Sequence, residues 1–195
     1  EDANKNLWIG SMGSGLFSMD LETGEIKDRN IGTSTGATYN PINKVQNFWI
    51  NTLLYSKSNK LYIGTYNGLG CLDLDTNSFI FADGINRVLT HKIVYSLYED
   101  ADENLWIGTS EGMFLKPKDS WKLQNFSTKD GLSSNVVCAI KGDVQQNLWI
   151  STHHGISKFN KKTKQFTNFY FNDGLQGNEF SKGAVTYDNQ NAIYF

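Results

Sequence analysis

Residues 99–115 read EDADENLWIGTSEGMFL, and the same phrase returns at 1–20 as EDANKNLWIGSMGSGLFSMD and at 142–160 as GDVQQNLWISTHHGISKFN. A looser copy, YSKSNKLYIGTYNGLGCLDLD, occupies 55–75 with Tyr62 in the tryptophan place, and YDNQNAIYF at 187–195 begins another. Five aromatic residues stand in phase, Trp8, Tyr62, Trp106, Trp149 and Tyr194, at separations of 54, 44, 43 and 45 residues. A period in this range is that of four-stranded propeller blades and is longer than a leucine-rich or ankyrin repeat. Each unit holds several short β-prone runs divided by Asn, Asp and Gly turn signals. None keeps apolar residues at three- and four-residue spacing for long, which disfavours helix.

In the unit that starts at 136 the strands are expected at 136–141 (A), 147–152 (B), 156–160 (C) and 165–171 (D). The A–B turn, DVQQN, carries Asp143 and Asn147, whose side chains can bond nearby backbone amides and close a hairpin. Strand B reads Leu-Trp-Ile without alternation, as a sheet covered on both faces should, so the aromatic is expected to fill the gap between blades. Gly10, Gly64 and Gly108 follow the aromatic by two residues, where a missing side chain lets a neighbour approach; Ser151 takes that place in the fourth unit.

The expected fold is therefore all-β, with blades of four antiparallel strands, about four blades in all, forming an incomplete propeller. Its divisions are a part-blade at 1–30, an insertion loop at 31–46, blades at 47–83, 93–127 and 136–171, and a part-blade at 181–195. That is seventeen strands, more than four blades and fewer than five. A closed ring of four stays open, since propellers run from roughly four to eight blades, but the unmatched pieces do not fit it neatly, and an open arc exposes apolar blade faces that invite self-association.

Composition narrows the function classes. With 18 basic and 20 acidic residues and a net charge of −2, the chain has no electrostatic footprint for nucleic acid. Apolar runs such as LWI and NFWI fall far short of the roughly 20 residues of a membrane-spanning helix. Cys71 and Cys138 sit in separate apolar segments, not in a Cys-x-x-Cys pair, and read as buried thiols. There is no Gly-x-Ser-x-Gly elbow, His-Glu-x-x-His helix or phosphate loop, so no catalytic residue, metal or cofactor is assigned.

The string D-x-x-x-N-L-W-I-G-T-x-x-G-L, followed by a polar hairpin and then D-G-L-S-S-N-V-V, resembles the two-component regulator propeller repeat, the match being carried by Asp102 to Met113, Asp130 to Ile140 and Asn147 to Ile156. Weaker copies lie around Leu7 and Leu61, and 173–195 looks like a late blade of that family. The resemblance implies a fragment of the periplasmic sensor region of a Bacteroides-type hybrid histidine kinase, whose intact parent is an inner-membrane protein. It further implies oligosaccharides from polysaccharide breakdown as the ligands, and no enzymatic activity in this segment. Tyr62 for Trp, Ser151 for Gly and the 31–46 insertion depart from the family pattern.

In a propeller the B–C and D–A loops open on one rim, so candidate ligand contacts follow from phase alone. The B–C loops offer Tyr66, Asn67, Glu111, His153 and His154; the D–A loops offer Tyr39, Arg87, His91, Asn178 and Glu179. Aromatic rings, amides and carboxylates suit sugars, whose apolar faces stack and whose hydroxyls hydrogen-bond. Each has a plainer reading as a turn-capping residue. Adjacent His153 and His154 would point to opposite faces of a strand, and spacing marks no third metal ligand. Two other functions stay open: a propeller enzyme, either a metal-assisted lyase or lactonase or a glycan-active enzyme using carboxylates such as Glu111 and Glu179, and a protein-interaction scaffold.

Overall fold

The structure, a computed structural model, describes residues 1–29, 49–80, 88–188 and 192–195. Tyr39, Arg87 and the 31–46 insertion lie outside the described residues.

The described residues form seventeen strands in five antiparallel sheets, each sheet a meander in which neighbours in sequence are neighbours in space. The first sheet has β1 (Asn6–Ser11), β2 (Gly15–Asp20) and β3 (Ile26–Asp28). Three four-stranded sheets follow. The second comprises β4 (Ile50–Tyr55), β5 (Lys60–Thr65), β6 (Gly68–Asp73) and β7 (Ser78–Phe79). The third comprises β8 (Val94–Glu99), β9 (Leu105–Thr109), β10 (Gly112–Lys116) and β11 (Gln124–Phe126). The fourth comprises β12 (Val137–Gly142), β13 (Leu148–Thr152), β14 (Ile156–Asn160) and β15 (Gln165–Phe169). A pair, β16 (Thr186–Tyr187) with β17 (Ile193–Tyr194), forms the fifth. First strands of successive full sheets touch, β4 against β8 and β8 against β12, so the A strands gather at an axis and the sheets fan outward as an unclosed arc of propeller blades.

The core is a row of seams between sheets. Leu16 meets Ile50, Leu61, Ile63 and Leu72 in the first; Tyr62, Leu69 and Cys71 meet Val94, Ile107 and Phe114 in the second. In the third, Trp106 lies in contact with Phe126 of its own blade and Phe159 of the next, ring centroids 6.0 and 5.8 Å apart. The fourth joins Cys138 and Ile156 to Phe180, with Trp149 half-buried beside them. Every residue of β9 is buried, as a strand sandwiched between two blades must be. Burying one such Phe or Leu contributes roughly 1.5–3 kcal/mol. The described neighbours of β1 lie on one side only, and Leu7 and Ile9 stay exposed on the other.

The repeat aromatic is tied to its own hairpin. Asp2, Asp100 and Asp143 each accept the indole N–H of the tryptophan six residues on, Trp8, Trp106 and Trp149, at 2.9, 2.9 and 3.0 Å. The same carboxylates accept the amides of Asn6, Asn104 and Asn147 and so close the A–B turn. Where the aromatic is Tyr194, its hydroxyl reaches Asp188 at 3.1 Å. In the second blade Ser56 stands in the aspartate place, and the neighbouring blade's Glu99 supplies the carboxylate, bonding Ser56 Oγ (2.6 Å) and the Lys57 amide (3.0 Å).

Gly108 faces the next blade so closely that an added Cβ would stand 2.7 Å from Val137 Cγ1. Its counterpart Ser151 is fully buried, and its hydroxyl has no partner among the described residues. The expected fourth strand of the fourth blade, 165–171, ends earlier, at Phe169. There the Tyr170 amide turns to the Asp173 carboxylate (2.8 Å), and Phe171–Asp173 winds as a 3-10 turn that Gly174 closes at φ 100°.

Candidate functional site

The loops of the rim are built by short-range hydrogen bonds. Between strands B and C, Thr65, Thr109 and Thr152 each donate Oγ1–H to the carbonyl of the glycine three residues on, at 2.9, 2.8 and 2.9 Å. Each also accepts the amide two residues on, of Asn67, Glu111 and His154. The tips 66–67, 110–111 and 153–154 are thereby held in equivalent poses.

Most of the residues expected to meet a ligand are already engaged there. Asn67 Oδ1 accepts the His91 amide (2.6 Å), bringing those two candidates together. Glu111 pairs with Lys92 at 2.5 Å. Asn178 Oδ1 accepts the Phe171 amide (2.7 Å), as Asn135 Oδ1 accepts that of Thr128 (2.9 Å). The carbonyls of those two asparagines take the Gly155 and Gly112 amides. The DGLSSN and DGLQGN segments are thus loops whose asparagine fastens one blade to the next. The His153 amide bonds the Val136 carbonyl, the His154 ring lies 5.2 Å from Tyr170, and Glu179 is exposed. Among the described residues no three His, Cys, Asp or Glu side chains converge as metal ligands would.

Tyr66 is different, because it lines a cleft of ≈ 500 Å³ together with Met12, Trp49, Asn51, Tyr95 and Lys182. These come from the B–C loops of the first two blades, the A strands of the second and third, and the segment leading into β16. The cleft therefore lies at the axis where blades converge. Its walls depend on a bulge repeated in the inner strands: pairing slips between Ile50 and Thr52, between Val94 and Ser96, and between Val137 and Ala139. The inserted residues are Asn51, Tyr95 and Cys138, and a bulge is a common means of re-aiming a side chain beside a site. Trp49 and Tyr66 stand edge to face, centroids 5.4 Å apart and 81° between planes, both partly exposed. Lys182 Nζ sits 4.5 Å from the centre of the Tyr95 ring. Burial pushes the Cys138 thiol up to about 11, with Lys182 drawing it down and Glu179 up.

Of the ten residues expected from phase, eight are described and Tyr66 alone of these lines this cleft. Trp49, Tyr95 and Lys182 were not among them. One signal was available for Trp49, a tryptophan out of phase with the repeat.

The family described as two component regulator propeller matches residues 89–111, the span from Leu89 through the third blade's Trp106 to Glu111. Over its whole length the chain is similar to the extracellular domain of a putative hybrid two-component system from B. thetaiotaomicron, with 25% identity and a TM-score of 0.82. It covers 25% of that chain. A second such domain from the same organism shares 24% identity and a TM-score of 0.74, over 99% of this chain and 27% of the other. Virginiamycin B lyase from Staphylococcus aureus shares the fold, at 13% identity and a TM-score of 0.61, over 98% of this chain and 59% of the lyase. The chain thus spans about a quarter of the length of the first two structures, and it matches no curated protein. Among the described residues no helix is long and apolar enough to cross a membrane.

Proposed function

We propose that this chain is a regulator propeller of the periplasmic sensing region of a hybrid two-component signalling protein, where it binds oligosaccharide in the axial cleft and catalyses no reaction. The location and signalling role rest on the likeness to extracellular domains of putative hybrid two-component systems. The binding role rests on one observation: Trp49, Tyr66 and Tyr95 line one cleft at the axis, with Trp49 and Tyr66 both partly exposed there. Aromatic faces stack on the C–H faces of sugar rings, and hydroxyl and indole N–H groups at the rim meet sugar hydroxyls.

In such a receptor, ligand shifts the balance between arrangements of paired sensor regions, which requires unequal affinity for the two states. The cleft draws on four blades, so a ligand in it alters how they sit against one another. The exposed Leu7 and Ile9 on β1 favour self-association of isolated chains through that blade face. A light-scattering mass that stays monomeric at high concentration refutes that part.

The test is a panel of defined oligosaccharides against the complete extracellular region and against this chain, read by thermal shift and by product analysis. A glycan-dependent rise in melting temperature without product is expected, and Trp49→Ala and Tyr66→Ala remove it while leaving the unliganded melting temperature within a few degrees. Product formation makes the protein an enzyme instead; no response to any glycan leaves the scaffold reading.

A further inference from the structure

Lys182 is the charged residue in the wall of the axial cleft, which carries no carboxylate among the described residues. Several lysines elsewhere are paired with a carboxylate, Lys92 with Glu111, Lys118 with Glu103 and Lys161 with Asp100, while Lys141 and Lys158 lie over the rings of Tyr187 and Trp149 outside this cleft. Lys182 makes no ion pair among the described residues, and what holds its ammonium is the face of Tyr95, 4.5 Å away. A cation fixed over an aromatic ring is attracted by that ring's quadrupole, yet it keeps its outward N–H donors free for an anion. Around it, the Trp49 indole N–H and the Tyr66 and Tyr95 hydroxyls have no hydrogen-bond partner among the described residues, and the Asn51 amide, which donates to the Val94 carbonyl, keeps its oxygen open.

Two aromatic planes for sugar faces, neutral donors and acceptors for hydroxyls, and one unpaired cation opposite them make a site for a particular kind of saccharide. We propose that the axial cleft takes an oligosaccharide bearing an acidic substituent, a carboxylate or a sulfate, and that Lys182 is the contact for that group while Trp49 and Tyr66 stack on the adjoining ring. This rests on the reading of the cleft as a saccharide site. The anionic end and the stacked end of the ligand meet different blades, since Lys182 precedes β16 while Trp49 and Tyr66 flank β4 and β5.

The test is calorimetric titration of the complete extracellular region with three probes. These are trigalacturonic acid, its fully methyl-esterified form, which keeps the skeleton without the charge, and a sulfated galacto-oligosaccharide. Losing one charge-assisted hydrogen bond should weaken binding about 10-fold or more, so the ester should bind at least that much more weakly than the acid. Lys182→Met should bring acid and ester to equal affinity, and Lys182→Arg should restore most of the difference. Binding of the sulfated probe alone supports the same site and identifies sulfate as the anion. Equal binding of acid and ester by the wild type overturns the proposal but leaves the saccharide reading standing, and this comparison needs no variant to fold. A preference for the acid that survives in Lys182→Met also overturns it. If none of the three probes nor any neutral glycan of the panel binds, both the proposal and the reading beneath it fail.

Discussion

Asp100→Asn gives the sharpest test of how the blades are held. The carboxylate is 2% exposed and accepts from Trp106 Nε1 (2.9 Å), from the Asn104 amide (3.0 Å) and from Lys161 Nζ of the next blade (3.0 Å). Asparagine keeps the shape and one oxygen, which can stay on the turn amide, but it presents an NH2 to two other donors. Each buried donor left without an acceptor costs about 1–3 kcal/mol. Lys161 is 15% exposed and recovers some of its loss in water, so the sum is about 3 kcal/mol. Asp143→Asn is the matched control: Trp149 is only half-buried and among the described residues no lysine makes an ion pair with Asp143, so the loss is about 1 kcal/mol. In urea, with a slope of about 2 kcal/mol per M, the midpoint should fall by about 1.5 M for the first variant and about 0.5 M for the second, at unchanged slope. The effect should depend on pH. Burial works to raise the Asp100 pKa, but hydrogen bonds from Trp106, Lys161 and the Asn104 amide outweigh it, so the folded value lies below the usual 3.8. A group depressed on folding stabilises above its unfolded pKa and loses that contribution as pH falls through the folded value. Wild type and Asp100→Asn should therefore converge as the pH falls below 3.8 and through the depressed folded value. Equal midpoint shifts for the two variants, or a wild-type advantage unchanged at the acid end, refute the argument that this carboxylate joins indole, turn and neighbouring blade.

Ser151→Ala should raise stability by up to about 1 kcal/mol, measured by urea unfolding, because it removes a buried hydroxyl that has no partner among the described residues. Gly108→Ala should lower stability by about 1–3 kcal/mol through the clash with Val137, whereas Gly177→Ala, with nothing within 4 Å of the added Cβ, should stay within about 0.5 kcal/mol. The Cys71 and Cys138 thiols, both buried and pushed up to about 12 and about 11 by desolvation, should resist a disulfide reagent near neutral pH until the protein is unfolded; prompt labelling of native protein contradicts that burial.

Local chemistry carried much of this structure into the sequence. The DVQQN turn closes through Asp143 and Asn147 as its composition predicts, and Leu-Trp-Ile without alternation marks strands covered on both faces, as in β9. The indole–carboxylate bond was harder to read. It joins residues six apart across a turn, and only the folded hairpin brings Trp106 Nε1 to Asp100. Strand D of the fourth blade was drawn too long because FYF at 169–171 is β-prone, while Asp173, four residues past the end of β15, captures the Tyr170 amide and turns the chain.

The rim divides along the same line. Asn67, His91, Glu111 and Asn178 lie in rim loops, but phase cannot tell an open side chain from one already engaged by a neighbour. Read alone, the chain determines its period, its all-β blades and the order of its hairpins, because these follow from contacts within about ten residues of each other. Tertiary structure alone decides the axial cleft. Met12, Trp49, Tyr66, Tyr95 and Lys182 are scattered over 171 positions, from 12 to 182, and face one space because the blades that carry them pack side by side, with one-residue bulges at Asn51 and Tyr95 in two of the inner strands.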